Sequence, residues 1–255
     1  MSDGWPDRLN NEFLELKLLK APIWLMTFKF RTFTLEAVEA VNRALDYLDS
    51  LTGELGLITT SSDSKIYSAG IDFTQFAKTE MYTTSFLMQF QKLLARFLSL
   101  SYPTAAAING HCIAGGIMMA MAQDFRVQRK DLGIISLSEI NLGMPIPHGM
   151  LFLIRDKIPY PTLRMLAQFG HKFTPQESLK AGLVDQLCDP KQEVEQALKI
   201  LEPLVEKSSA RGSFCQIKSA INRRGIQAAK QEYLPPDELL DTLRPPPKKL
   251  PAQKL

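Results

Sequence analysis

The chain has little cysteine, little bias in charge and no apolar run of membrane-spanning length. Its three cysteines, Cys112, Cys188 and Cys215, are odd in number, far apart and outside any metal-ligand spacing. That predicts reduced thiols in an intracellular protein, with no disulfide framework and no zinc site. Thirty basic against 27 acidic residues leave a net charge of +3, part of it in the C-terminal "RPPPKKLPAQKL". No basic face is interleaved with aromatic residues, which argues against a nucleic-acid reader. No stretch is long and apolar enough to predict a membrane span. The start, "MSDGWPDRLNNEF", carries Asp3, Asp7 and Glu12 and resembles neither a secretory signal nor an acid-poor transit peptide.

What is present is enough apolar residue, 45% of 255, to bury a real core. The segment 13–28 reads as two short strands around Ala21-Pro22. Residues 35–51 carry Leu35, Val38, Val41, Leu45 and Leu48 at helical spacing, with Thr34 as N-cap. "LGLITTSS" is a strand. Residues 84–100 set Phe86, Phe90, Leu93, Leu94, Phe97 and Leu98 on one helix face. "TAAAIN" reads as a buried strand, "GIMMAMAQ" as a short buried helix, and "FRVQRK" and "GIISLSEI" as strands again. Strand, strand, helix, repeated with variation, predicts an α/β protein. Beyond residue 148 the pattern turns helical, at 149–158, 161–169, 175–181, 191–208 and 209–232. Past Tyr233 the chain is Pro-rich and charged, an extended or disordered arm.

Three segments draw chemical interest. In "AAINGHCIAGGIMMAMAQDF" (105–124) a turn of small residues, Ala114-Gly115-Gly116, joins a strand to a helix. Glycine lets the backbone approach a ligand, and a helix start offers unsatisfied N–H groups that stabilise an oxyanion. Tight packing of a strand-to-helix turn uses the same residues, and the turn alone leaves both readings open. "KIYSAGIDF" (65–73) is a second small-residue turn after a strand, with Asp72 placed to cap the next helix. Two N–H donors on separate loops make an oxyanion hole. In "SLSEINLGMPIP" (136–147), Glu139 sits between Leu137 and Ile140. A strand there would put it near the core, where desolvation raises a carboxylate's pKa and suits it to proton abstraction. A glutamate paired with a cation at a strand edge fits the segment equally.

"SAGID", "AAINGHCIAGG" and "LSEINLGMPIP", in this order and at these separations, resemble the crotonase (enoyl-CoA hydratase/isomerase) superfamily over about residues 13–190, with "FTPQESLKAGLVDQL" similar to the helix-turn segment after the site. Within it, "NGH", "RKD", "SE" and "GMPIP" are most similar to the monofunctional delta-3, delta-2-enoyl-CoA isomerases.

The resemblance implies a spiral of ββα units over 1–190 holding the acyl-CoA site. It also implies a C-terminal helical trimerisation region over 191–232, a tail at 233–255, and a homotrimer or dimer of trimers. It implies that the backbone N–H groups of Ile71 and Gly115 hold a thioester oxygen and that Glu139 is the acid/base. Ser68, Ala69, Gly70, Asp72, Met118 and Ser138 would line the substrate. The family's hydratases carry a second glutamate three residues after the glycine turn, where this chain has Met118. A chain with one acid suits moving a double bond from C3 to C2 of an enoyl-CoA in fatty-acid β-oxidation. Coenzyme A is then part of the substrate, and no metal or other cofactor is implied.

Two other readings remain. One is different crotonase-type chemistry, as in a hydratase or thioesterase. The other is a catalytically quiet scaffold subunit using "PPDELLDTLRPPPKKLPAQKL" as a docking tail. Lys29, Arg31 and Lys65 are candidates for CoA phosphates, though ordinary solvated charge explains them as well. His111 reads as structural and His148 as a surface residue. Gln253-Lys254-Leu255 is similar to the peroxisomal Ser-Lys-Leu address, which gives a peroxisomal expectation with the mitochondrial matrix or cytosol as alternatives.

Overall fold

The computed structural model describes residues 10–72, 74 and 80–230, and the side chains of 80–84 are not part of that description. The arm after Tyr233, including Gln253-Lys254-Leu255, lies outside the described residues.

Two antiparallel strands, β1 (Leu14–Lys20) and β2 (Ile23–Phe28), open the chain. Helix α1 (Leu35–Ser50) comes next, capped as expected by Thr34, whose hydroxyl accepts from Ala37 N–H. Its buried face is Val38, Val41, Ala44, Leu45 and Leu48. Strands β3 (Gly56–Ser61) and β4 (Ile66–Ser68) lead to α2 (Glu80–Phe97). That helix starts earlier than its apolar pattern suggests, because its first turn, "EMYT", carries no such pattern. Phe86, Phe90, Leu93, Leu94 and Phe97 of its inner face are buried.

The chain continues through β5 (Thr104–Ile108), β6 (His111–Ile113), the seven-residue helix α3 (Gly115–Met121), β7 (Phe125–Arg129) and β8 (Ile135–Ser136). The C-terminal part holds α4 (His148–Arg155), α5 (Tyr160–Leu163) running into a π-turn at Arg164–Gln168, α6 (Pro175–Lys180) and β9 (Gln186–Cys188). Helices α7 (Glu193–Leu201), α8 (Arg211–Ile221) and α9 (Arg223–Lys230) close it.

Among the described residues the strands form two sheets. A large one runs β1-β2-β3-β5-β7-β9, parallel from β2 onward, and a small all-parallel one runs β4-β6-β8. Parallel sheets need both faces covered, which explains runs such as "TAAAI" without alternation. Every residue of β5 and of α3 is buried. The 191–208 helix breaks after Leu201, before Pro203, which cannot continue the ladder. A 3₁₀ turn at Val205–Ala210 takes over from it.

One expectation is corrected here. Glu139 does not lie in a strand: β8 ends at Ser136, and Glu139 opens a 3₁₀ turn, Glu139–Leu142. The neighbours that suggested a strand divide, Leu137 being buried and Ile140 51% exposed.

Candidate active site

The small sheet positions the site. Its three parallel strands release three segments from the same edge: 69–72 after β4, 114–116 after β6 and 137–139 after β8.

The first segment is held from outside. Ala69 N–H donates to Arg31 C=O (2.7 Å), Phe33 N–H to Gly70 C=O (2.7 Å) and Asp72 N–H to Phe33 C=O (2.9 Å). In such a parallel bridge the residue between Gly70 and Asp72 turns its own N–H the other way. Ile71 N–H therefore faces the β6–α3 side and meets no acceptor among the described residues. The second segment offers a matching group. Gly115 begins α3, Ile117 and Met118 N–H return to Ala114 C=O, and Gly115 N–H has no acceptor among the described residues.

The two segments touch. A Cβ on Gly70, whose φ is +93°, would lie 2.7 Å from Gly115 N, and one on Gly115 would lie 3.2 Å from Ile71 Cγ1 and from the Phe90 ring. Ser68 Oγ accepts from Gly70 N–H (3.1 Å) and donates to Arg31 C=O (3.3 Å), fixing the turn between them. Ala114 holds φ +52°, ψ −124°, a conformation that alanine reaches only under constraint. It directs the backbone from β6 into α3.

The third segment carries the acid. Ala114 N–H donates to Ser136 C=O (2.9 Å), tying the end of β8 to the glycine turn. Glu139 is three residues on, within about 11 Å of Ser136 along the chain. Its side chain is buried and its Oε2 has no hydrogen-bond partner among the described residues. Burial pushes its pKa above the ordinary glutamate range, against a smaller pull from its own backbone N–H. Met144 N–H on Glu139 C=O (3.0 Å) and a left-handed Gly143 (φ +68°) close the turn that presents it.

The remaining predicted positions divide. Met118 is buried one turn into α3, so no carboxylate stands at that position. Ser138 is half-buried beside Glu139, and Ala69 half-buried beside Ser68. Asp72 Oδ1 accepts from Thr74 N–H (3.0 Å) and Oγ1 (2.7 Å), a local turn cap. Arg31 pairs with Asp63 (2.7 Å), and Lys29 Nζ donates to Asn11 C=O (2.9 Å). His111 Nδ1 accepts from Ile134 N–H (3.2 Å), a structural role as expected. His148 is exposed at the start of α4. Among the described residues no helix is long and apolar enough to cross a membrane, and no cluster of His, Cys, Asp or Glu could hold a metal. Phe90 and the 31–33 backbone brace the site but carry no local signal in the sequence. Only the helical phase of Phe90 hinted at its inward position.

A family model described as "Enoyl-CoA hydratase/isomerase" matches residues 19–240. The chain is 28% identical over 179 residues to the peroxisomal enoyl-CoA delta isomerase 1 of Arabidopsis thaliana, covering 69% of this chain and 75% of that one. It is 27% identical over 186 residues to the mitochondrial enoyl-CoA delta isomerase 1 of Homo sapiens, covering 71% of this chain and 62% of that one. Among solved structures, human mitochondrial delta3-delta2-enoyl-CoA isomerase superposes with a TM-score of 0.73 at 22% identity, covering 91% of this chain and 95% of that one. The enoyl-CoA hydratase EchA3 of Mycobacterium ulcerans superposes with a TM-score of 0.76 at 18% identity, covering 90% and 99%. The two structural likenesses concern the fold.

Proposed function

The chain belongs to the enoyl-CoA hydratase/isomerase family, and from that premise we propose that it moves the double bond of a 3-enoyl-CoA to give trans-2-enoyl-CoA. The observation that carries the reading is the buried Glu139, whose Oε2 has no partner among the described residues, on the same edge of the small sheet as two backbone N–H groups likewise unpaired there.

In the proposed reaction the thioester oxygen accepts from Ile71 N–H and Gly115 N–H. Glu139, ionised, removes a proton from C2. The electron pair of that C–H bond moves into the thioester, and the negative charge rests on its oxygen, where each donor is worth about 3–4 kcal/mol. The charge then returns, the C3=C4 bond becomes C2=C3, and Glu139 delivers the same proton to C4. No water is consumed and no electron leaves the substrate, and coenzyme A is carried as part of it.

Burial of Glu139 raises its proton affinity toward that of a useful base. Hydration would need a second group to activate water, and Met118 cannot do so. Met118 and its neighbours instead offer an apolar, adaptable wall for the acyl chain, with Ser68, Ala69, Gly70, Asp72 and Ser138 around the thioester. The names of the curated relatives point to the same reaction, and we place it in the oxidation of unsaturated fatty acids. A peroxisomal location, suggested by the Arabidopsis relative and by Gln253-Lys254-Leu255, is part of the proposal, with mitochondria as the alternative. So is assembly as a trimer or a dimer of trimers.

The test is a paired assay on purified protein with 3-hexenoyl-CoA and 2-hexenoyl-CoA supplied separately. Conversion of the first with little hydration of the second is expected. Hydration of the second outpacing isomerisation of the first would replace the proposal with a hydratase. Turnover of neither, with the fold intact, would favour the scaffold reading.

A further inference from the structure

A strap of four residues, 170–173, runs from the π-turn to α6 and holds the chain on both sides of Glu139. Ahead of Glu139, Ile135 N–H donates to Phe173 C=O (3.0 Å) and Phe173 N–H to Ile135 C=O (2.9 Å). Strand β8 therefore leans on β6 along one edge and on the strap along the other. Beyond Glu139, Gly170 packs against the 3₁₀ turn. A Cβ on Gly170 would lie 2.9 Å from Asn141 Nδ2, 3.0 Å from Ile140 Cγ2 and 3.3 Å from Leu137 O. Its φ of +60° also favours glycine.

The strap is fixed at its own two ends. His171 N–H donates to Met165 C=O (3.0 Å) in the π-turn. Thr174 N–H and Oγ1 donate to Glu177 Oε2 (2.8 and 2.9 Å), the cap of α6. Between these ends the buried Phe173 meets the His171 ring edge-on, the centroids 4.6 Å apart. A two-residue strand and a single 3₁₀ turn gain their second wall from this segment.

We propose that the strap positions the base: Gly170 seats the 139–142 turn and so sets the distance from the Glu139 carboxylate to a thioester held at Ile71 and Gly115. Gly170 is a positioning residue and acts through the turn. The proposal rests on the reading of Glu139 as the acid/base.

The two thioester donors belong to the other two segments, so a change at Gly170 separates chemistry from binding. Misplacing a reacting group by about 1 Å costs about 100-fold. A Cβ at 3.0 Å from the branched Ile140 asks the turn to give by less than that, and about 10-fold is expected. A loosened turn also admits water to Oε2. The acid limb of the rate profile then moves back toward the reference of 4.5.

The experiment compares Gly170→Ala with Gly53→Ala. Gly53 has a φ of +84° and nothing within 4 Å of its Cβ position, so it carries the backbone strain without the contact. Kinetics with 3-hexenoyl-CoA are read beside hydrogen–deuterium exchange over 138–144, which needs no reaction. That stretch includes the bonds from Asn141 N–H to Ser138 C=O and from Met144 N–H to Glu139 C=O. In Gly170→Ala, kcat should fall about 10-fold, KM should stay within about threefold, and the acid limb should move down. Exchange should quicken over 138–144 and stay unchanged over 69–72 and 111–118. Gly53→Ala should stay within about threefold of the wild type in kcat, with exchange over 138–144 unchanged. Unchanged exchange in Gly170→Ala, an unchanged kcat in it, or an equal loss of kcat in Gly53→Ala would overturn the proposal. Quickened exchange in a protein whose wild type does not turn over 3-hexenoyl-CoA would remove the reaction and keep the strap. If Gly170→Ala does not fold, Ile140→Ala decides. It withdraws the methyl seated on Gly170 from a half-exposed position. It should quicken the same exchange and lower kcat at near-constant KM, and no change in either would overturn the proposal.

Discussion

Replacing Glu139 with Gln tests the reaction and the structure together. The substitution keeps the shape of the side chain and removes its ability to carry a proton. A positioned acid/base contributes about 10²–10⁴-fold, and here one group serves both C2 and C4, so the upper end applies. The expected loss in kcat is about 10⁴-fold, or about 5.5 kcal/mol on the barrier, with KM changed by no more than about threefold, since the carboxylate is not the principal binding group.

Stability should move the other way. Burial raises the folded-state pKa of Glu139 above its reference of 4.5, so the folded chain holds this proton more tightly than the unfolded chain. The stabilisation from that protonation is complete below the unfolded pKa and is lost as pH rises through the folded one. In the ionised form that the reaction requires, Glu139 is a buried charge whose Oε2 has no partner among the described residues, and Gln removes that charge. Melting at pH 7 should show E139Q at least as stable as the wild type, the difference shrinking as pH falls toward 4. The wild-type rate should fall on the acid side with an apparent pKa above 4.5. A Gln variant keeping more than about a tenth of the activity would refute Glu139 as the base. A variant less stable by more than about 1 kcal/mol would refute the reading of its burial.

Three further outcomes are expected. Gly70→Ala places a Cβ against Gly115 N at a φ of +93°. It should destabilise by about 1–3 kcal/mol and depress kcat more than KM, and wild-type kinetics in the purified variant would contradict the described approach of the two turns. Met118→Glu puts a carboxylate one turn into the buried α3. It should lower stability by about 1–3 kcal/mol and raise hydration of 2-hexenoyl-CoA above the wild-type background, and no rise in a folded variant would count against the missing acid as the reason for weak hydration. Lys218→Met strips Asp124 of its ion-pair partner. Because Thr104 still donates to that carboxylate through N–H and Oγ1, the cost in urea unfolding should be about 2–3 kcal/mol, below the about 3–5 of a wholly uncompensated charge; a change under about 0.5 kcal/mol would contradict it.

The long elements were legible because their burial is periodic. Thr34 and the Val38–Leu48 stripe announce α1, and Phe86 to Phe97 announce the inner face of α2. The strands β6 and β9, three residues each, were not foreseen, since so short a run has no period to read. Glu139 was found for a chemical reason and misplaced for a local one: an apolar residue on either side suggested a strand, yet Ile140 points outward. The brace on Ile71 comes from the 31–33 backbone, about 40 residues earlier, and backbone bonds leave no mark on side-chain pattern.

The small sheet has a consequence for how such a protein can change. Its strands are two or three residues long, and each ends just before a segment that reaches the site. The scaffold spends its hydrogen bonds on alignment, and the side chains beyond the strand ends are free of that duty. Position 138, half-buried two residues past the end of β8, could trade serine for another residue without unpicking a single strand pair. Divergence in this architecture should be cheap at the tips and costly at the joints. A library randomised at 69 and 138 should yield many folded proteins with differing reactions, while one randomised at 70, 115 and 116 should yield few that fold.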